Sequence, residues 1–171
     1  MKKKKSFVAL ALVVAVLVLG VGYAITTIDL KVNGDITVSS DDSNFDVNFT
    51  DASITTTGTL TGKTDTAEKG NGKTATLSVK TLKTVGEKVV AEYTITNNSK
   101  AGINATLSNP TATQTNDAAK NYYTVTATLA DTNPIAPNGT RKLTVIVELV
   151  KAPLEEVTGN FTVTFNASAT K

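Results

Sequence analysis

Along most of the chain, apolar residues recur at every second position. In TRKLTVIVELV, Thr140 to Val150, Leu143, Val145, Val147 and Leu149 fall on one face of an extended segment. Thr144 and Glu148 take the other face, with Ile146 among them and placed to be partly covered. KVVAEYTITNN turns Val89, Ala91, Tyr93 and Ile95 inward, and YYTVTATLA does the same with Tyr123, Val125, Ala127 and Leu129. FTVTFNASA marks one buried face of Phe161, Val163, Phe165, Ala167 and Ala169. The opposite faces are mostly threonine, whose branched polar side chain favours strand geometry and stays soluble. Runs at Phe45–Thr50, Ile54–Leu60, Ala75–Lys80 and Ile103–Leu107 predict further strands, and no long window carries a helical period.

Turn residues punctuate these runs at Asn33-Gly34, Val85-Gly86-Glu87, Asn97 to Lys100, Pro137-Asn138-Gly139 and Gly159-Asn160. Two polar stretches, 61–73 and 109–121, read as mobile loops. One-sided strands at this spacing predict an all-β chain folded as a β-sandwich.

The first residues follow another rule. MKKKKSFVALALVVAVLVLGVGYA has four lysines, an apolar run from Phe7 to Leu19, and small residues ending at Gly22 and Ala24, the order of a secretory signal peptide. The alternative is an uncleaved membrane anchor, since Phe7 to Ala24 is 18 residues without a charge, at the lower limit for spanning a bilayer. Cleavage is favoured because the strictly apolar core is only 13 residues long. The division is then 1–24 signal peptide and 25–171 a single domain, with 25–38 a possible donor strand.

Removing Lys2, Lys3, Lys4 and Lys5 takes Lys+Arg from 17 to 13 against 15 Asp+Glu, so the mature protein lacks the basic surplus that nucleic-acid binding needs. The absence of cysteine excludes a disulfide framework and a lipid-modified cysteine. No LPxTG-type motif or apolar C-terminal tail is visible. The mature protein is expected outside the cell or at its surface, touching the membrane only through residues 7–24 before cleavage, and held by other proteins or released.

Without His or Cys the chain lacks the usual general base, the thiol nucleophile and the common zinc ligands, and no enzyme or cofactor is expected. Asp41-Asp42 and Glu155-Glu156 are adjacent acids, which point to opposite faces of an extended chain rather than into one glycosidase cleft. Asp42, Asn44 and Asp46 copy the first three oxygen positions of a calcium loop, a weak candidate. Val47 stands where that loop needs glycine, and Ser53 where it needs an acid. Asn-x-Ser/Thr triplets occur at six asparagines, Asn97 among them, in a chain rich enough in these residues to produce them by composition.

Two phrases, TLKTVGEKVVAEYTITNNSKAGINATL and NPIAPNGTRKLTVIVEL, are similar to segments of surface immunoglobulin-like modules. Together with a leader ending GVGYA and the alternating strand that follows at once, the layout of the mature chain resembles the TasA/camelysin-like family of secreted biofilm-matrix fibre proteins. That resemblance implies an immunoglobulin-like or jelly-roll β-sandwich behind an N-terminal signal helix. It also implies an extracellular filament built by self-association, in which the N-terminal strand of one subunit completes the sheet of the next. The strand-exchange positions would be Ile28, Leu30, Val32, Ile36 and Val38, and the partners a signal peptidase and an accessory assembly protein. Camelysin carries an implication of metalloprotease activity, from which this histidine-free sequence departs. The alternative is a secreted or membrane-tethered immunoglobulin-like binding or adhesion module, monomeric, with its first strand paired in its own sheet.

Overall fold

The computed structural model describes the backbone of 30–38 and all of 44–115, 119–154 and 157–170. Among these residues ten strands run in chain order: β1 Leu30–Val38, β2 Val47–Thr56, β3 Thr66–Glu68, β4 Thr74–Val79, β5 Lys88–Asn97, β6 Asn104–Leu107, β7 Thr111–Gln114, β8 Tyr123–Leu129, β9 Thr140–Leu149 and β10 Gly159–Thr170. The residues expected to be a signal peptide lie outside the described residues.

The strands form two sheets. One has the order β3-β4-β1-β10-β6, with β7 collinear with β6 along the same edge of β10; the other is β2-β5-β9-β8. Alternation fills the space between them: Val89, Ala91, Tyr93 and Ile95 of β5 and Leu143, Val145, Val147 and Leu149 of β9 are buried in one cluster with Phe161, Val163, Phe165 and Ala167 of β10. This is the two-layer arrangement of a β-sandwich. Phe49 ties the layers together, packing edge-on against Tyr93 of its own sheet at 5.7 Å and Phe165 of the other at 5.9 Å between ring centres. The Tyr93 hydroxyl crosses the core to donate to Thr76 O at 2.8 Å, and burial pushes its phenol well above the ordinary range. Hydrogen bonds also join the layers at their sides, Phe49 N to Gly72 O at 2.7 Å and Gln114 Nε2 to Tyr123 O at 2.6 Å.

Several elements differ from the sequence expectation, each for a physical reason. Phe45–Thr50 and Ile54–Leu60 are not two strands, because β2 runs through to Thr56 across a bulge between Phe49 and Asp51. The bulge resets the phase: Val47 and Phe49 are buried before it, and Ala52 and Ile54 take the core side after it. Stretches 61–73 and 109–121 are not wholly loop, since they contain β3 and β7, short edge strands with one half-buried alanine each, Ala67 and Ala112. One small apolar residue leaves no visible alternation. Asn33-Gly34 is not a turn, because β1 is paired along both edges and stays extended through it.

Gly159-Asn160 is not a turn either; it opens β10. A side chain at Gly159 would meet the Tyr123 ring at 2.6 Å and Ala119 Cβ at 2.9 Å, so the glycine serves close packing. Tyr123 is fully buried there, which pushes its phenol up to about 12. Gly159→Val is expected to displace the ring and destabilise the fold by about 1–3 kcal/mol, read from the shift in a denaturant midpoint. An unchanged midpoint would mean that the ring moves freely.

The two ends of the sandwich are built differently. At the end where β1 begins, Asp65 is buried and accepts from Lys80 N at 2.6 Å and Thr81 N at 3.0 Å, fixing the β2–β3 connection to the β4–β5 connection. Glu87 accepts from Lys83 N and from Thr84 N at 2.9 Å, and from the Thr59 hydroxyl. Burial alone would raise the Glu87 carboxyl, but these hydrogen bonds outweigh it and hold the group below its ordinary value of 4.5. At the other end, buried Asn97 donates to Ile103 O at 3.0 Å and Ile135 O at 2.7 Å, and accepts from Ser99 N at 3.1 Å. Its burial closes that Asn-x-Ser triplet to modification in the folded chain.

Candidate functional site

The arrangement with the clearest functional content is the slot that β1 fills. Its nine residues pair in parallel with β10 from Leu30↔Gly159 to Val38↔Ala167, and its other edge is antiparallel to β4 from Leu30↔Val79 to Asp35↔Thr74. An internal strand uses backbone groups on both sides, each hydrogen bond worth a net 0.5–1.5 kcal/mol or so. Four of the five positions expected to take part in strand exchange fall within this strand. Leu30, Val32, Ile36 and Val38 stand in register with Gly159, Phe161, Phe165 and Ala167, all buried. Ile28 lies outside the described residues. Gly34 stands in register between Ala75 and Val163, both buried. In a strand paired on both edges, backbone bonds supply the affinity and alternate positions the specificity.

The chain enters β2 through a fixed point. Asn98 N donates to Asp46 O at 2.7 Å, Asp46 N to Ser99 Oγ at 2.9 Å and Lys100 N to Asn44 O at 3.1 Å. The segment arriving from β1 is therefore clamped at Asn44 and Asp46 by the connection after β5. Beside the clamp, Asp46 Oδ1 accepts from Lys73 Nζ at 2.7 Å and Oδ2 from Asn48 Nδ2 at 2.6 Å. The Lys73 ammonium holds the Asp46 carboxyl below its ordinary value against the effect of burial, with smaller help from Asn48 and Asn98. Both partners are about half exposed, so the ion pair is worth about 0.2–1 kcal/mol.

Of the calcium candidates, Asn44 and Asp46 are therefore brought together at the clamp, while Asp42 lies outside the described residues. A cation at Asp46 would have to displace Lys73. Among the described residues, no three of His, Cys, Asp and Glu are grouped to hold a metal ion. The adjacent acids at 41–42 and 155–156 lie outside the described residues.

A shallow groove of about 340 Å³ lies between β7 and β8, lined by Ala112, Thr113, Gln114, Lys120, Thr124 and Val125. It joins part of the 109–121 stretch to the edge of the other sheet. Sequence reasoning missed the residues that shape the slot's neighbours, chiefly Gly159 against Tyr123 and the carboxylates Asp65 and Glu87. No composition rule distinguishes an acid that caps backbone amides from one on the surface. Compared with models of known families, with curated proteins and with solved structures, the chain finds no match.

Proposed function

We propose that the mature chain is a structural subunit of an extracellular surface or biofilm-matrix filament, exported by its N-terminal segment and assembled by strand addition, in the manner of TasA/camelysin-like proteins. Its role is non-catalytic, and its sandwich is of the immunoglobulin-like or jelly-roll kind. The observation that carries the reading is the position of β1: the strand nearest the export segment is an internal strand, paired with β4 and β10, and its removal opens a nine-residue slot in the sheet. A strand from a second copy, identical in sequence, satisfies the same backbone groups and the same register.

A second reading is favoured by the same strand's present partners. Because β1 pairs within its own sheet, the chain also suits a stable monomer acting as a secreted or tethered binding module. Electron microscopy of the chain starting at Ile25, beside one starting at Ser39, separates the two. Filaments from the first and none from the second are expected. A monomer under every condition tried, or equal polymerisation by the shortened chain, would sink strand addition.

A further inference from the structure

We propose that the end of the sandwich where β1 begins is a membrane-facing surface, which rests in the interface of a lipid bilayer while the apolar run Phe7 to Ala24 tethers the uncleaved chain. The inference rests on the export reading above and adds the orientation and the contact face. Five residues, 25–29, separate that run from Leu30, and fully extended they reach at most about 18 Å. A tethered sandwich must therefore hold its Leu30 end close to the bilayer.

The exposed apolar side chains are at that same end. Among the described residues, the exposed large hydrophobics are Val85, Val150 and Leu154, at 54%, 43% and 80%. Val85 lies on the β4–β5 connection, and Val150 and Leu154 lie on the β9–β10 connection that leads to Gly159, the partner of Leu30. Both connections are tied at this end: Gly86 N of the first donates to Leu149 O at the end of β9 at 2.8 Å, and Val150 N of the second to Tyr122 O, just before β8, at 2.8 Å. Lys151 Nζ lies 5.5 Å from the centre of the Tyr122 ring, and Lys83 is exposed beside Val85. Apolar side chains ringed by lysine and tyrosine suit the headgroup boundary, where long cationic side chains keep their charge in water.

The opposite end differs. It exposes Asn98, Lys100, Asp131, Thr132 and Asn133. Charge is not what drives the contact in this proposal. Apolar insertion to a depth of about 5–10 Å does.

The chain has no cysteine, so Leu154→Cys and Asn133→Cys each create one labelling site. The full chain bearing an environment-sensitive fluorophore at either site is reconstituted into phosphatidylcholine vesicles, with and without a minority of phosphatidylglycerol, and exposed to a lipid-borne quencher. Quenching several-fold stronger at position 154 than at 133, in both vesicle types, is expected. Equal quenching in a chain that floats with the vesicles overturns the membrane-facing surface but leaves the tether standing. A chain that does not float overturns both. A spectral shift at 154 that depends on protein concentration and not on lipid also overturns the proposal, because a second copy then covers the patch.

Discussion

A chain that begins at Ser39 is expected to lose most of its folding stability and to recover it when a peptide spanning Leu30–Val38 is added. Neighbouring strands lie about 4.8 Å apart, so withdrawing β1 leaves β4 and β10 roughly twice that distance from each other, too far to pair directly. Backbone donors and acceptors along β10 from Gly159 to Ala167, and along β4 from Thr74 to Val79, lose their partners together. The core row that includes Phe161, Val163 and Phe165 also loses a flanking strand. With net stabilities of about 5–15 kcal/mol for an ordinary domain, such a loss exceeds what the rest of the sandwich can absorb. Denaturant unfolding with and without the peptide measures it, and a scrambled peptide should not rescue. A Ser39 chain as stable as the longer one would show that the slot closes without a strand, and β1 could then leave one copy for another at no benefit to either.

Phe49→Ala is expected to cost about 3–5 kcal/mol, the largest effect of any single side-chain truncation in the described core. Phe49 is 2% exposed and is the ring that contacts an aromatic in each sheet, Tyr93 and Phe165. Its backbone N–H is also bonded to Gly72 O, which limits how far β2 can settle into the space left behind. A cavity that cannot collapse adds to the lost transfer energy. Thr128→Ala, on the exposed face of β8, serves as the comparison and should stay within about 0.5 kcal/mol of the parent. If the Phe49 variant unfolds at nearly the parent's midpoint, the two layers are not coupled through that ring.

The core was legible because alternation is local. Val89 to Ile95, Leu143 to Leu149 and Phe161 to Ala167 are each readable within a few residues, and each occupies the expected face. The run Leu30, Val32, Ile36 and Val38 was legible as an alternating strand for the same reason. Their neighbours were not, since pairing β1 with β4 and β10 depends on residues far away in the chain. Local signals also misled wherever long-range contacts outweighed them. Asn33-Gly34 has the composition of a hairpin turn but is stretched by two neighbours, and Gly159 is small because Tyr123 leaves it no room. The bulge in β2 carries no sequence mark, as Thr50 is an ordinary strand residue whose hydroxyl bonds Thr96 across the ladder at 2.7 Å.

The parallel pairing of β1 with β10 also sets the order of events in time. β1 is the first described strand and β10 the last, so this register joins two ends of the chain that emerge far apart during synthesis or export. β2, β5, β9 and β8 can complete their antiparallel sheet before β10 exists, and β1 can pair with β4, whereas the other edge of β1 must wait for β10. Closing so long a loop makes this the slow step of folding. Throughout that delay the edge of β1 that faces β10 stays unpaired, so the last strand to form decides when the sheet closes.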